Sequence, residues 1–190
     1  SYSMQLKEAY LANSLSLELG VLSNSNAITH LSHSGNVTTF TLFGPSVINV
    51  PRTLEKITIL EGSTSLNNHA FNGLSFLKEV ELPDTITKIG DSAFYGCREI
   101  TSINLKNVEE IGNEAFYGCQ DLETIEYSKQ LKTIGNKAFM ATKWLRNATQ
   151  DFVEMNGILI LYQGNDQVVT LPNNIVAIAG GAFSGNQNVT

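Results

Sequence analysis

Two stretches of the chain have closely similar sequences: residues 77–97 read LKEVELPDTITKIGDSAFYGC, and residues 100–119 read ITSINLKNVEEIGNEAFYGC. Aligned on their Ala-Phe pairs, both contain Leu/Ile-x-x-Val/Ile-x-Leu, then Ile/Val-x-x-Ile-Gly, then Ala-Phe-Tyr-Gly-Cys. The Ala-Phe pair recurs at intervals of 22 or 23 residues, with one double interval of 44. Such a fixed period indicates an internal repeat. The five pairs are Ala70-Phe71, Ala93-Phe94, Ala115-Phe116, Ala138-Phe139 and Ala182-Phe183.

Each part of this frame favours a different local structure. In Leu-x-x-Ile-x-Leu, the last two apolar residues alternate with polar ones, which predicts a short strand with one buried face. The Ile-x-x-Ile pair and the glycine after it favour a tight turn over a long helix. One such unit cannot close its own core, whereas stacked units bury a continuous apolar column. The sequence therefore predicts a repeat solenoid of short parallel strands, turns and short helical segments.

The composition excludes several other classes. The net charge is -6, charged residues make up 16% of the chain and hydrophobic residues 42%. A disordered chain would contain fewer hydrophobic residues, and a nucleic-acid binder would show a basic excess or a basic stripe. No apolar run approaches the roughly 18 residues that a membrane span needs. We therefore expect a folded, mildly acidic chain that does not insert into a membrane.

The period and the three motifs together resemble the BspA-like, or Treponema pallidum-type, leucine-rich repeats. The resemblance covers roughly residues 54–190, apart from one insertion. It implies a right-handed coil with a curved ladder of strands in a bacterial or protozoan surface protein, with a bacterial source similar to Bacteroidetes favoured. It also implies an extracellular or cell-surface location and adhesion to host matrix proteins or to other cells.

Two segments depart from the frame. Residues 1–50 are expected to form an N-terminal cap, with a helix beginning near Met4–Leu11 and degenerate strands at Ile28–Leu31 and Val37–Leu42. Residues 140–166 contain Asn156-Gly157 between two apolar runs, which predicts a β-hairpin. We expect this hairpin to replace one coil, to protrude and to carry Trp144. Residues 51–190 are expected to form the solenoid. Because the chain stops within the repeat pattern, we expect this solenoid to be truncated at its C-terminus.

A binding face is predicted on the strands of the ladder. The polar residues between the buried strand positions should point outward on the concave side and form adjacent columns, giving an acidic, hydroxyl-rich stripe. Such a stripe suits proteins, glycans or basic partners, or is an inert solvated sheet. The candidate residues are Lys56, Thr58, Glu79, Glu81, Ser102, Asn104, Thr124 and Glu126. For Trp144, Phe152 and Tyr162 two alternatives stand: they anchor the hairpin to the solenoid, or they form an exposed contact tip.

No residue pattern points to catalysis, a metal or a cofactor. Cys97 and Cys119 share one repeat position, which favours buried free thiols that pack as small hydrophobes, with a disulfide as the alternative. The three histidines, His30, His33 and His69, have no metal-ligand spacing to cysteines or carboxylates. Phosphate loops, nucleophile elbows and paired-carboxylate motifs are absent. The sequence therefore predicts a non-enzymatic protein with no cofactor.

Three functions remain open at this level. The first is a module that binds a host matrix or cell-surface protein through the ladder. The second is a structural spacer that displays another region, and the third is a glycan-binding accessory module. The third needs exposed aromatic residues on the concave face, where we expect Tyr127 in a buried strand position. The oligomeric state is not indicated.

Overall fold

The structure is a computed structural model, and it describes residues 8–11, 30–33, 55–59 and 64–189. These residues wind into a solenoid whose strands are two to five residues long. Apart from one short helix, the described elements are all strands. In chain order they are β1 (Glu8–Leu11), β2 (His30–His33), β3 (Lys56–Ile59), β4 (Ser65–Leu66), β5 (Glu79–Glu81), β6 (Lys88–Ile89), β7 (Ser102–Leu105), β8 (Glu110–Ile111), β9 (Thr124–Tyr127), β10 (Thr133–Ile134), α1 (Lys143–Arg146), β11 (Phe152–Met155), β12 (Ile158–Tyr162) and β13 (Ala177–Ile178).

Two parallel ladders run along the solenoid. The first ladder consists of β1, β2, β3 and β5, paired in that order, followed by β7 beside β5 and by β9 paired with β7. The second ladder consists of β4, β6, β8 and β10, also paired in that order. The first ladder comes from the Leu-x-x-Ile-x-Leu motif, as predicted. The second comes from the Ile-x-x-Ile motif, where we expected only a turn.

The interior is a set of columns in which equivalent residues of successive coils stack. The phenylalanines of the first four Ala-Phe pairs are buried, and their ring centroids lie 5.4, 5.2 and 5.3 Å apart along the solenoid. The backbone beside them is also tied from coil to coil, since Phe94 N donates to Ala115 O at 2.8 Å. These segments are hydrogen-bonded turns. The column contains Phe71, Phe94, Phe116 and Phe139.

Glycine follows three of the four second-ladder strands, β6, β8 and β10, and close packing between coils requires it there. A Cβ atom added at Gly112 would lie 2.5 Å from Asp91 N and 2.6 Å from Gly90 C. The same atom at Gly135 would lie 2.3 Å from Asn113 N. From the sequence we expected these glycines only to form turns. In the structure they also leave the space that the backbone of the neighbouring coil occupies.

A column of asparagine and aspartate lies one residue beyond these glycines and beyond Asn67, which holds the same position after β4. Asn68 Oδ1 accepts from Asp91 N at 2.8 Å, Asp91 Oδ1 accepts from Asn113 N at 2.7 Å, and Asn113 Oδ1 accepts from Asn136 N at 2.9 Å. The residue after each of them has a left-handed backbone, as at Ser92 with φ 52°. The side-chain bonds satisfy backbone N–H groups at this corner, where the chain turns away from the second ladder.

The segment after Ala138-Phe139 departs from the repeat, as the sequence predicted. Asn156 and Gly157 have φ values of 53° and 76°, which suits the primed two-residue turn that joins β11 to β12. The hairpin does not protrude, however. Val153, Met155 and Ile158 are buried in the main core, and β12 pairs in parallel with β13. The hairpin is therefore built into the solenoid.

The N-terminal region differs from the expectation where it is described. Glu8–Leu11 is the strand β1, so the predicted helix is wrong over these residues. β1 pairs in parallel with β2, and β2 pairs with β3 in continuous register. Pairing with a neighbouring coil outweighs the helix propensity of this short segment. The strand predicted at 28–31 overlaps β2, whereas the strand predicted at 37–42 lies outside the described residues.

Candidate functional site

The strand register brings the predicted face residues together in two columns. Lys56 is opposite Glu79 and Thr58 is opposite Glu81 where β3 pairs with β5. In the next pair of strands, Ser102 is opposite Thr124 and Asn104 is opposite Glu126. Lys56 is half-buried, and the other six candidate side chains that the structure describes are exposed. The side chain of Thr58 is not among those described. The geometry therefore supplies one shared surface, while its role in binding remains a prediction.

Ion pairs cancel much of the acidic character expected of this surface. Lys56 Nζ lies 2.8 Å from Glu79 Oε1 and 2.5 Å from Glu81 Oε1. The hydrogen bonds that Lys56 donates to Glu79 and Glu81 raise the pKa of Lys56 above its usual value. Lys106 Nζ lies 2.9 Å from Glu126 Oε2. The three carboxylates of the face are thus each paired with a lysine, so the face is not an open acidic stripe.

The middle of the face keeps unused hydrogen-bonding groups. The hydroxyls of Ser102 and Thr124 have no hydrogen-bond partner among the described residues. Asn104 Oδ1 accepts from Lys106 N at 3.1 Å, which leaves its NH₂ group available. Uncharged donors and acceptors therefore project side by side from β7 and β9.

The two residues predicted as a hairpin contact lie in different environments. Trp144 is on α1 and not on the hairpin, and its half-buried ring packs against Phe139 with centroids 5.7 Å apart. Tyr162 is on β12 and only 1% exposed, so it is not part of a contact tip. Its ring packs between Phe152 and Phe183 at centroid distances of 5.0 and 5.6 Å. For Tyr162, the anchoring alternative is the correct one.

Tyr127 was expected in a buried strand position and is in fact 41% exposed. It lies on β9, the last strand of the first ladder. In an inner coil the equivalent residue Leu105 is only 1% exposed, because the next strand covers it. In the next coil, residues 147–150, which are equivalent to β9, follow α1 and form no strand, so Tyr127 lacks this cover.

The second ladder carries charged residues that the sequence reading did not single out. Lys88 Nζ lies 2.8 Å from Glu110 Oε2, and Lys132 pairs with Glu109. The hydrogen bond and charge of Lys88 lower the pKa of Glu110, and the same pair raises the pKa of Lys88. In the sequence, Lys88 and Glu110 stand directly before isoleucines at the same position of successive repeats, and this pattern could have indicated the pair. Each of these pairs joins two adjacent coils.

The cysteines behave as the favoured alternative predicts. Cys97 and Cys119 are both free and buried. Cys97 Sγ donates to Phe71 O at 3.0 Å, and Cys119 Sγ donates to Phe94 O at 3.1 Å. Burial raises the pKa of Cys97 well above its usual value and that of Cys119 to about 12. Reactive cysteines have lowered pKa values, so these two are packing residues.

Other functional chemistry finds little support in the part of the chain that the structure describes. No group of three or more His, Cys, Asp and Glu side chains there could hold a metal ion. Of the histidines, His69 is exposed with φ 60°, while His30 and His33 lie on β2 and their side chains are outside the description. None of the described helices is long and apolar enough to span a membrane.

The repeat geometry is matched by a known family. Residues 49–153 match six copies of the family described as "BspA type Leucine rich repeat region". The chain belongs to this family. Proteins of this kind are generally binding modules without enzymatic activity. The comparison with curated proteins finds no match.

Solved structures of other leucine-rich-repeat proteins are similar to this BspA-type chain. A leucine-rich repeat protein from Bacteroides ovatus is 28% identical with a TM-score of 0.53, over 74% of this chain and 36% of that one. The chain thus spans about a third of that protein. A leucine-rich repeat protein from Treponema pallidum is 18% identical with a TM-score of 0.44, over 72% of this chain and 70% of that one. A leucine rich cell surface protein from Faecalibacterium prausnitzii is 18% identical with a TM-score of 0.42, over 84% and 63% respectively.

Proposed function

We propose that this chain is a non-enzymatic binding module of a bacterial cell-surface or secreted protein, and that its first ladder contacts a host matrix or cell-surface protein. The observation that carries the proposal is the pair of unused hydroxyls of Ser102 and Thr124, which lie opposite each other on adjacent strands. The extracellular location and the adhesive role rest on membership of the family.

The flanking ion pairs favour a protein partner that forms hydrogen bonds over a strongly basic one. Glu79 and Glu81 are already paired with Lys56, and Glu126 is already paired with Lys106. Exposed ion pairs of this kind contribute little to stability, typically about 0–1 kcal/mol. A partner can therefore exchange these pairs for its own at small cost, while the uncharged centre supplies the directional contacts.

The experiment uses the purified chain, immobilised and exposed to a panel of purified host matrix and cell-surface proteins. Ser102→Arg and Thr124→Arg place a bulky side chain in the centre of the proposed face. Thr133→Arg is the matched control, because Thr133 is an exposed residue on the second ladder. We expect each of the first two changes to weaken capture at least tenfold and the control to leave it unchanged.

Two results would count against this function. If no protein of the panel is retained by the unmodified chain, the spacer alternative is favoured. If Thr133→Arg weakens capture as much as Ser102→Arg, a protein is bound but not through the first ladder. Circular dichroism of each variant separates loss of binding from loss of folding.

A further inference from the structure

A cleft lies where the first ladder stops. In the regular coils, Glu123 N and Thr124 N both donate to Thr101 O of the preceding coil. In the following coil, the N–H groups at the equivalent positions donate within α1 instead, as Arg146 N does to Thr142 O. The strand that would pair with β9 is therefore missing, and a cleft lies between Glu123, the residue before β9, and the segment that takes the place of that strand.

The cleft has a lining unlike that of any other surface of the described solenoid. Its volume is about 340 Å³, within the roughly 300–1,000 Å³ typical of small-molecule sites. Trp144 is the only tryptophan of the chain, and the equivalent residues of earlier coils are Phe76, Glu99 and Asp121. The lining residues are Glu123, Trp144, Asn147, Ala148 and Gln150.

Several polar groups of this lining are unused. The indole N–H of Trp144 and the side-chain NH₂ of Gln150 have no hydrogen-bond acceptor among the described residues, and Asn147 Oδ1 has no donor there. Glu123 is different, because its Oε2 lies 2.8 Å from Lys143 Nζ. The cleft thus offers an aromatic ring and uncharged donors and acceptors, with its carboxylate already neutralised.

This combination fits one class of ligand. A sugar ring presents C–H groups on a face, which pack against an aromatic ring, and hydroxyls at its edge, which both donate and accept hydrogen bonds. An anionic ligand would find no unpaired cation in this lining, and a purely apolar ligand would leave the amide groups without partners. We propose that the cleft binds a neutral pyranose unit of a glycan. The residues that line this cleft are not among the eight candidate residues of the first ladder, so this proposal does not depend on protein binding there.

The sole tryptophan allows a direct test. Trp144 fluorescence reports on the cleft alone, because no other residue of the chain contributes tryptophan emission. The chain is titrated with neutral trisaccharides built from glucose, galactose, mannose or N-acetylglucosamine, and separately with a sialylated trisaccharide and with glycerol. We expect a saturable change of emission with at least one neutral trisaccharide and none with the sialylated probe or glycerol.

A pair of matched variants tests the position. Gln150→Ala removes an exposed side chain of the lining whose only recorded partner is the neighbouring Thr149 N, so the fold should be retained. Gln167→Ala is the control, since Gln167 is equally exposed and does not line the cleft. Loss of one ligand hydrogen bond should weaken binding about three- to tenfold for Gln150→Ala only. The proposal is overturned if no neutral trisaccharide gives a saturable change, if the sialylated probe alone does, or if both variants bind equally.

Discussion

Replacing Gly112 by alanine should destabilise the chain through contact between coils. The new Cβ would lie 2.5 Å from Asp91 N and 2.6 Å from Gly90 C, both closer than such contacts ever are. Because the opposing atoms belong to the backbone, the coils must separate or shift by several tenths of an ångström. Overpacking of this kind costs typically about 1–3 kcal/mol, and alanine recovers about 0.4–1 kcal/mol from the unfolded chain. Because both opposing atoms are backbone atoms well under 3.0 Å away, we take the upper end of the overpacking range and expect a net loss of about 2 kcal/mol in the free energy of unfolding.

Gly73→Ala provides the comparison. A Cβ atom at Gly73 meets nothing within 4 Å, so its only penalty is the left-handed backbone with φ 79°. That penalty is roughly 1–2 kcal/mol, and the same gain from the unfolded chain offsets part of it. Urea unfolding followed by circular dichroism and by Trp144 fluorescence gives both free energies. The packing argument is refuted if Gly112→Ala is neutral or costs no more than Gly73→Ala.

Three further predictions follow from the side chains. Alkylation of Cys119 at pH 8 should be about a thousandfold slower in the native chain than in the unfolded one. The reason is that a pKa of about 12, against the usual 9.0, lowers the thiolate fraction by about that factor. Mass spectrometry that finds either cysteine alkylated in the folded chain would contradict this prediction. Lys88→Met should reduce the loss of stability between pH 6 and pH 3.5. The lowered pKa of Glu110 stabilises the fold at pH values above the usual pKa of 4.5, and this contribution disappears as the pH falls through the folded-state pKa. Urea unfolding at both pH values measures the loss, and an equal loss for variant and parent would refute the prediction. Asn113→Ala removes the acceptor for the backbone of the next coil and should cost about 1 kcal/mol in the same assay, whereas no change would mean that water replaces the bond.

The repeat made the fold readable from the sequence. The Ala-Phe intervals and the alternation in segments such as Ser102–Leu105 locate the first ladder, its outward residues and the buried columns. Because each coil repeats the same contacts, a residue position that is assigned correctly as buried or exposed in one coil is correct in the remaining regular coils too. The second ladder was missed because its strands are only two residues long, as at Lys88–Ile89, and too short to show alternation.

The errors concentrate where the repeat is interrupted. The Asn156-Gly157 turn was predicted correctly because it depends on local backbone preferences. Whether the hairpin protrudes depends on the space left by neighbouring coils, which the local pattern does not contain. The same reason explains two other wrong predictions. Tyr127 is exposed because no strand pairs with β9 on its far side, and Trp144 lies on α1 and not on the hairpin.

The candidate site was predictable in position but not in charge. The columns of face residues follow from the strand period, so Ser102, Thr124 and their neighbours could be placed in advance. The pairing of Lys56 with two glutamates and of Lys106 with Glu126 depends on side-chain reach between coils. Counting acidic residues along the sequence therefore overstated the acidity of the face.

Cross-saturation NMR shows residue by residue whether the first ladder is the binding face. The isotope-labelled chain is mixed with whichever unlabelled protein it captures, and saturation transferred from that protein is read at each backbone amide. We expect the largest losses of intensity at Ser102, Asn104 and Thr124, with little effect at Glu110 and Thr133 on the second ladder. Losses confined to the second ladder, or spread evenly over both ladders, would rule out the first ladder as the binding face.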